Sequence, residues 1–182
     1  MAGADFIRVL GIDTALRSTG VGVVESRGSR LTAVEFGAIR FPAAAPHSVC
    51  LSGVYDAVGR LVQRTTPAAA AIEGVFFGRN LRTTLILGEA RGAVIAACAA
   101  AGVPVFEYPP RSVKQALAGF GGSEKRQVRR MVMSLLGLTD EPQEDAGDAL
   151  ALAVCHLHRS RGRAAMGAVV SVIATSLLYI SL

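Results

Sequence analysis

The segment that most constrains the fold of this chain is a nearly continuous apolar run over residues 68–77. It holds a single acid, Glu73, and its composition is typical of a strand that is buried on both faces. Residues 80–101 follow with a helical pattern that stops at Gly102, and residues 103–108 form a shorter apolar run that prolines close. A strand, a helix and a second strand in this order predict a parallel crossover.

The segments around this crossover complete an α/β pattern. Short Gly, Ser and Arg segments separate three runs rich in Val, Ile and Phe, which predict an antiparallel meander over residues 6–12, 20–25 and 31–41. Further helices are predicted over residues 48–64, 112–118, 123–136 and 142–159, with Ser123 as an N-cap and Pro142 at the first helical position. We therefore predict an α/β fold with a mixed five-stranded sheet flanked by helices.

The length and composition fit one domain, which we place at residues 1–160 of the 182. Residues 161–182 form an apolar C-terminal tail, and because Gly, Ser and Thr dilute it, a loose or packed segment is favoured over a membrane anchor. We therefore do not expect a membrane partner. The net charge of +5 favours an anionic partner. The three cysteines lack the spacing of a zinc or redox site, which predicts a reducing, cytoplasmic setting.

Acidic residues occur where the pattern predicts partial burial, and these are Asp13, Glu73, Asp145 and Asp148. Burying several anions without opposite charge is costly, and a divalent cation would relieve their repulsion. Oxygen ligands select Mg²⁺ or Mn²⁺, and two such ions are a common arrangement for phosphodiester hydrolysis. Structural alternatives remain for single residues, because Asp13 can cap a turn and Asp145 can interact with a helix N-terminus. Glu73 has no such explanation.

Basic residues cluster ahead of the last two acids, at Arg111, Lys114, Lys125, Arg126, Arg129 and Arg130. Such a cluster is typical of a phosphate-facing patch, and a solvated helix face is the alternative. Phe76, Phe77 and Arg79 follow Glu73 closely. An exposed aromatic there would stack on unpaired bases, whereas a core position is the alternative for a phenylalanine.

Six motifs carry a resemblance to one family, and in chain order they read RVLGIDTALRSTGVGVVE, AIEGVFFGRN, LGEARG, VFEYPPRSVKQALAGFG, SEKRQV and EDAGDALALAVCH. The chain resembles the RuvC resolvases, and the match covers roughly residues 7–158. The resemblance implies a ribonuclease H-like fold, a homodimer, and two Mg²⁺ or Mn²⁺ ions per active site. It also implies a Holliday junction endonuclease that nicks strands of like polarity at four-way junction DNA during recombination and repair. The branch-migration proteins RuvA and RuvB are the partners it implies.

Matched position by position, the resemblance implies that Asp13, Glu73, Asp145 and Asp148 are the catalytic and metal-binding acids. Lys114 and Lys125 match basic residues beside the strand to be cut, and Phe76 matches an aromatic that stacks at the junction centre. We extend the predicted DNA contacts to Arg79, Arg126 and Arg129. The family's dimer helix matches residues 80–101, where Gly88, Gly92 and Ala96 offer a small surface for a second helix.

The chain departs from the family after Asp13, where Thr14 and Ala15 replace a usual Pro-Gly and remove the freedom of Gly to form a left-handed turn. Gly74 also replaces a commoner Gln. These departures keep a second hypothesis open, a catalytically impaired relative that binds junctions without cutting them. A third hypothesis is an ATPase of the actin and sugar-kinase class, because residues 11–13 resemble the first phosphate loop of that class.

Overall fold

The computed structural model describes residues 6–74 and 80–179, and the side chains of these residues up to Arg161. The strands are β1 (Phe6–Asp13), β2 (Ser18–Arg27), β3 (Arg30–Arg40), β4 (Ala69–Glu73) and β5 (Val105–Tyr108). The helices are α1 (His47–Thr65), α2 (Leu81–Ala100), α3 (Pro110–Ala118), α4 (Lys125–Leu136) and α5 (Glu144–Tyr179).

The strands form one five-stranded sheet in the order β3-β2-β1-β4-β5. The first three strands pair antiparallel, as the predicted meander requires, and β1, β4 and β5 pair parallel. The α2 crossover therefore joins β4 to β5 as predicted. The carboxyl ends of β1, β4 and β5 meet at one edge of the sheet.

Two apolar cores lie on the two faces of the sheet. Leu10, Ile12 and Val23 point to the face that packs against α1 and α2. Val9 and Val24 point to the other face, which packs against α3, α4 and α5. Adjacent residues of one strand thus face opposite layers, because side chains alternate along a strand. The mixed sheet flanked by helices confirms the predicted fold class.

Several predicted boundaries differ from those in the structure. The strand predicted over residues 68–77 ends at Glu73, because its parallel neighbour β5 ends at Tyr108, directly before a proline that lacks an N–H donor. Ser123 is not the N-cap of α4; the helix begins at Lys125, and the Ser123 hydroxyl donates to the Phe120 carbonyl at 2.7 Å.

The last helix is longer than predicted. It begins at Glu144 and continues to Tyr179, well beyond residue 159. Side chains after residue 161 lie outside the described part, so the separate role of the tail over residues 161–182 stays a prediction. Within the described ranges, α2 alone has the length and apolar composition of a membrane span, which core helices of soluble proteins also have.

Candidate active site

Two acids lie side by side at the carboxyl edge of the sheet. Ile12 of β1 pairs with Ile72 of β4, and the next residues along these parallel strands are Asp13 and Glu73. Asp13 is half-buried, whereas Glu73 is exposed as the last residue of its strand. The expected burial of Glu73 is therefore wrong, because the strand ends there instead of continuing through the core.

Glycines on β1 and β2 allow helix α5 to lie directly on the sheet. A Cβ atom on Gly11 would overlap the Ala149 carbonyl, and one on Gly20 would overlap the Asp145 carbonyl. Gly20 pairs with Asp13 across the β1–β2 ladder, so the first turns of α5 are placed beside the end of β1. This close approach brings the acids of α5 to the edge where Asp13 and Glu73 lie.

A cavity of about 140 Å³ opens at this edge, and its walls include Asp13, Glu73, Asp148, Lys114 and Lys125. The Lys125 ammonium lies 3.1 Å from an Asp148 carboxylate oxygen, and the Asp148 side chain is 33% exposed. The structure thus brings three of the four predicted acids and two of the predicted basic residues into one cavity.

The fourth acid, Asp145, lies next to this cavity and is oriented differently. Its carboxylate accepts a hydrogen bond from the Ser18 hydroxyl, at the start of β2. Its charge nevertheless contributes to raising the pKa of Asp13, so the two carboxyls are electrostatically coupled. Residues three apart on a helix share a face, which explains how Asp145 and Asp148 approach the same edge.

The cavity favours protonated acids. Burial, followed by the negative charges of Asp148, Glu73 and Asp145, raises the pKa of Asp13 to about 7, against a lowering by Lys125. The pKa of Glu73 is also raised, first because the cavity walls remove water from its carboxyl and then by the charge of Asp148. A single lysine is therefore not enough to neutralise the acids at this edge.

The turn after Asp13 forms without a glycine. Thr66 is the single non-glycine with a positive φ in the described ranges, so neither Thr14 nor Ala15 takes the left-handed conformation. The Thr19 hydroxyl instead accepts a hydrogen bond from the Ala15 N–H and donates one to the Ala15 carbonyl. Asp13 thus remains paired with Gly20 at the end of β1, although the turn that follows it contains no Gly.

The donor set suits a hard divalent cation. Three carboxylates line the cavity, the pKa values of two of them, Asp13 and Glu73, are raised, and the Thr14 hydroxyl beside them is buried without a hydrogen-bond partner in the described structure. Within the described residues, no three acidic, His or Cys side chains are already grouped tightly enough to coordinate an ion. Asp145 and Asp148 are directed to Ser18 and Lys125 instead.

The predicted DNA contacts differ in their surroundings. Lys114 and Lys125 line the cavity, and Arg126 is exposed on α4. Arg129 is largely covered, and its guanidinium lies 3.0 Å from Glu141 and 3.7 Å from Glu144. Phe76 and Arg79 lie outside the described residues, so their predicted roles remain predictions.

Sequence reasoning missed two residues that support the acids. Ser18 orients Asp145, and nothing in the local pattern marks it. Arg91 on α2 is buried, donates a hydrogen bond to the Glu73 backbone carbonyl, and lies 2.6 Å from Glu107. An arginine within the otherwise apolar segment 90–100 is a signal that marks Arg91, because a buried guanidinium requires partners.

Comparison with known proteins gives concordant results. The family profile described as crossover junction endodeoxyribonuclease RuvC matches residues 9–156. The RuvC protein of Alkalilimnicola ehrlichii is 50% identical over 153 residues, covering 84% of this chain and 92% of that protein. The RuvC protein of Chloroflexus aggregans is 46% identical over 153 residues, covering 84% of this chain and 93% of that protein. A structure of Thermus thermophilus RuvC in complex with Holliday junction substrate is 35% identical and covers 85% of this chain and 95% of that one, with a TM-score of 0.82.

Proposed function

Because this chain belongs to the RuvC family of crossover junction endodeoxyribonucleases, we propose that it resolves Holliday junctions with two Mg²⁺ ions held by Asp13, Glu73, Asp145 and Asp148. The family assignment makes it a structure-specific nuclease of DNA recombination and repair, and it favours this activity over the ATPase and the non-catalytic alternatives. The family is metal-dependent, and the number of ions, Mg²⁺ over Mn²⁺, and the roles of the acids are our proposals.

The observation that carries the proposal is the composition of one cavity. Asp13, Glu73 and Asp148 line it together with Lys114 and Lys125. A bound cation would favour the ionised forms of Asp13 and Glu73, whose pKa values are raised, and lysines beside them favour a phosphate. A binding site for a phosphodiester next to divalent metal explains both features.

The residues divide the chemistry among them. The acids hold the ions, and bound divalent ions supply stabilisation of the charge that develops on the attacking and leaving oxygens. With a pKa of about 7, Asp13 is only partly ionised near neutral pH, and a bound metal would favour its ionised form. Lys114 and Lys125 orient the scissile strand through its phosphates. The positive charge of Lys125 also partly neutralises the negative charge of Asp148 through their ion pair.

We further propose that the active unit is a homodimer that places two such sites on one symmetric junction. The α2 surface supports this assembly, because Leu81 and Leu85 are 73% and 60% exposed. Gly88 and Gly92 have open space around them, so a second helix can approach closely. Sedimentation equilibrium measures the assembly directly.

RuvA and RuvB remain the partners proposed from the family, and four-way junction DNA is the proposed substrate. The proposed location is the cytoplasm. Its support is that Cys50, Cys98 and Cys155 are all free thiols, as expected in a reducing compartment. Co-purification of the chain with RuvA and RuvB on a junction tests the partners.

The test is a cleavage assay on a synthetic four-way junction with mapped nicks. Wild type should produce symmetric nicks in two strands of like polarity with Mg²⁺. Asp148→Asn and Glu73→Gln should lose at least about a hundredfold in cleavage rate. Both should still bind the junction, because the basic residues are unchanged. Asp56→Asn, which removes an exposed carboxylate of α1 outside the cavity, is the matched control and should cut like wild type.

The outcomes separate the hypotheses. If either variant of the cavity acids cuts at the wild-type rate, the assignment of the metal ligands is wrong. If wild type binds junctions but nicks them in neither Mg²⁺ nor Mn²⁺, the non-catalytic hypothesis replaces this one. Asymmetric or scattered nicks indicate a general nuclease.

A further inference from the structure

A second groove adjoins the acid cavity. Its volume is about 570 Å³, and it is lined by Pro109, Pro110, Arg111, Lys114, Phe120, Gly121 and Gly122. Pro110 and Lys114 also line the acid cavity, so the two surfaces are continuous. A strand whose phosphate lies among the acids therefore has a direct path into this groove.

An exposed aromatic ring stands in the groove. The Phe120 side chain is 67% exposed, in the loop between α3 and α4. The loop backbone is nevertheless held in place, because the buried Ser123 donates to the Phe120 carbonyl from its hydroxyl at 2.7 Å and from its N–H at 3.2 Å. Gly119 ends α3 in the left-handed conformation with φ +74°, which directs the chain into this loop. The ring is thus presented by an ordered loop.

The residues that line the groove suit a nucleic acid strand. Its charged residues are Arg111 and Lys114, and no acid is among the described residues that line it. An aromatic face beside two cations suits a base and its flanking phosphates, since every base has a π-face and every phosphate a negative charge. An apolar protein segment makes no use of the two charges. A nucleotide strand uses the charges and the ring together.

We propose that Phe120 stacks on a base of the DNA strand next to the scissile phosphate while Arg111 contacts the backbone beside it. This inference rests on the proposed function. The contact positions the strand at the acid cavity, and it lies on a loop distant in sequence from Phe76. Gly122 keeps the ring accessible, because a Cβ at this position would lie 2.5 Å from the Phe120 ring.

The test compares Phe120→Ala with Phe120→Tyr in the full-length protein on the same four-way junction. Removing the ring should weaken junction binding about tenfold, and tyrosine should restore it because it keeps the stacking face. The junction concentration for half-maximal cleavage should rise by about the same factor, because the lost contact acts in binding the strand. Phe36→Ala, which removes a 41% exposed aromatic on the edge strand β3, is the matched control and should bind like wild type.

A spectroscopic measurement identifies the contact itself. 2-Aminopurine is placed, one position at a time, at the nucleotides flanking the scissile phosphate. Its fluorescence should fall on binding to wild type at one of these positions, and Phe120→Ala should abolish that change. Arg111→Ala should reduce the slope of log binding constant against log salt by about one.

The failures are distinguishable. If wild type cuts the junction while Phe120→Ala binds and quenches 2-aminopurine like wild type, this inference is wrong and the proposed function stands. An equal loss of binding in Phe36→Ala also overturns it, because the effect is then not local. If wild type neither binds nor cuts junctions, the proposed function fails first.

Discussion

Replacing Asp13 by asparagine should stabilise the metal-free protein at neutral pH while it abolishes cleavage. Burial and neighbouring acids raise the pKa of Asp13 from 3.8 to about 7 in the folded state. Below pH 4 the Asp13 carboxyl is protonated in both the folded and the unfolded state, so it does not lower the free energy of unfolding. Between pH 4 and pH 7 the unfolded state loses the proton first, and the free energy of unfolding falls. Above pH 7 both states have lost the proton, and the free energy of unfolding falls no further.

The size of this loss follows from the shift. A rise in pKa from 3.8 to about 7 corresponds to a cost of about 4 kcal/mol at pH 8 and about 1 kcal/mol at pH 4.5. Asparagine has nearly the shape of the neutral acid and does not ionise. The free energy of unfolding of Asp13→Asn should therefore exceed that of wild type by about these amounts. Contacts that asparagine alters for other reasons are independent of pH. The difference between the two pH values therefore isolates the ionisation.

The assay is urea unfolding in EDTA at pH 4.5, 6 and 8, repeated with saturating Mg²⁺ at pH 8. Mg²⁺ should stabilise wild type and have less effect on Asp13→Asn, because a ligand that binds only the folded state adds to its stability. Asp56→Asn, at an exposed position of α1, should show no gain that depends on pH. A gain for Asp13→Asn that is the same at pH 4.5 and pH 8 refutes the reasoning.

Three further predictions concern the residues that support the site. Gly20→Ala should lower the free energy of unfolding in urea by about 3 kcal/mol or more, because a Cβ at this position overlaps the backbone of α5. The control is Gly37→Ala, in open space on β3, which should lower it by less than about 1 kcal/mol. Ser18→Ala should raise the Mg²⁺ concentration for half-maximal cleavage about tenfold, because it removes the hydrogen bond that orients a proposed metal ligand. Glu107→Gln should destabilise the protein by about 2 kcal/mol, because it leaves a buried guanidinium without its carboxylate, and Glu35→Gln, in an exposed pair, should cost less than about 1 kcal/mol.

The sequence was sufficient for the sheet and for one acid of the site. Runs rich in Val, Ile and Phe predicted the meander, and the order strand, helix, strand predicted the parallel crossover from β4 to β5. The position of Glu73, a single acid in an apolar run, marked it as a candidate functional residue without the resemblance. Its strand ends at this residue and leaves it exposed. Asp13, Asp145 and Asp148 gained their roles mainly from the resemblance, because turn and helix positions explain such acids equally well.

Long-range packing explains what sequence patterns did not predict. The approach of α5 to the sheet depends on Gly11 and Gly20, which are nine residues apart in the chain and lie on adjacent strands only when β1 and β2 pair. The hydrogen bond from Ser18 to Asp145 joins residues 127 apart. Local periodicity carries no information about such contacts, since they depend on which faces of the sheet each helix covers.

The same packing explains why the fold tolerates acids that oppose its stability. The glycines of β1 and β2 let α5 lie so close that its carboxylates face those at the ends of β1 and β4. The resulting repulsion appears as the raised pKa values of Asp13 and Glu73, and Lys125 offsets only part of it. A bound divalent ion would remove the repulsion between these carboxylates. The relief of this repulsion adds to the affinity for the ion. The instability of the empty cavity and the affinity of the proposed metal site therefore have one cause, and a variant that removes the repulsion weakens metal binding as well.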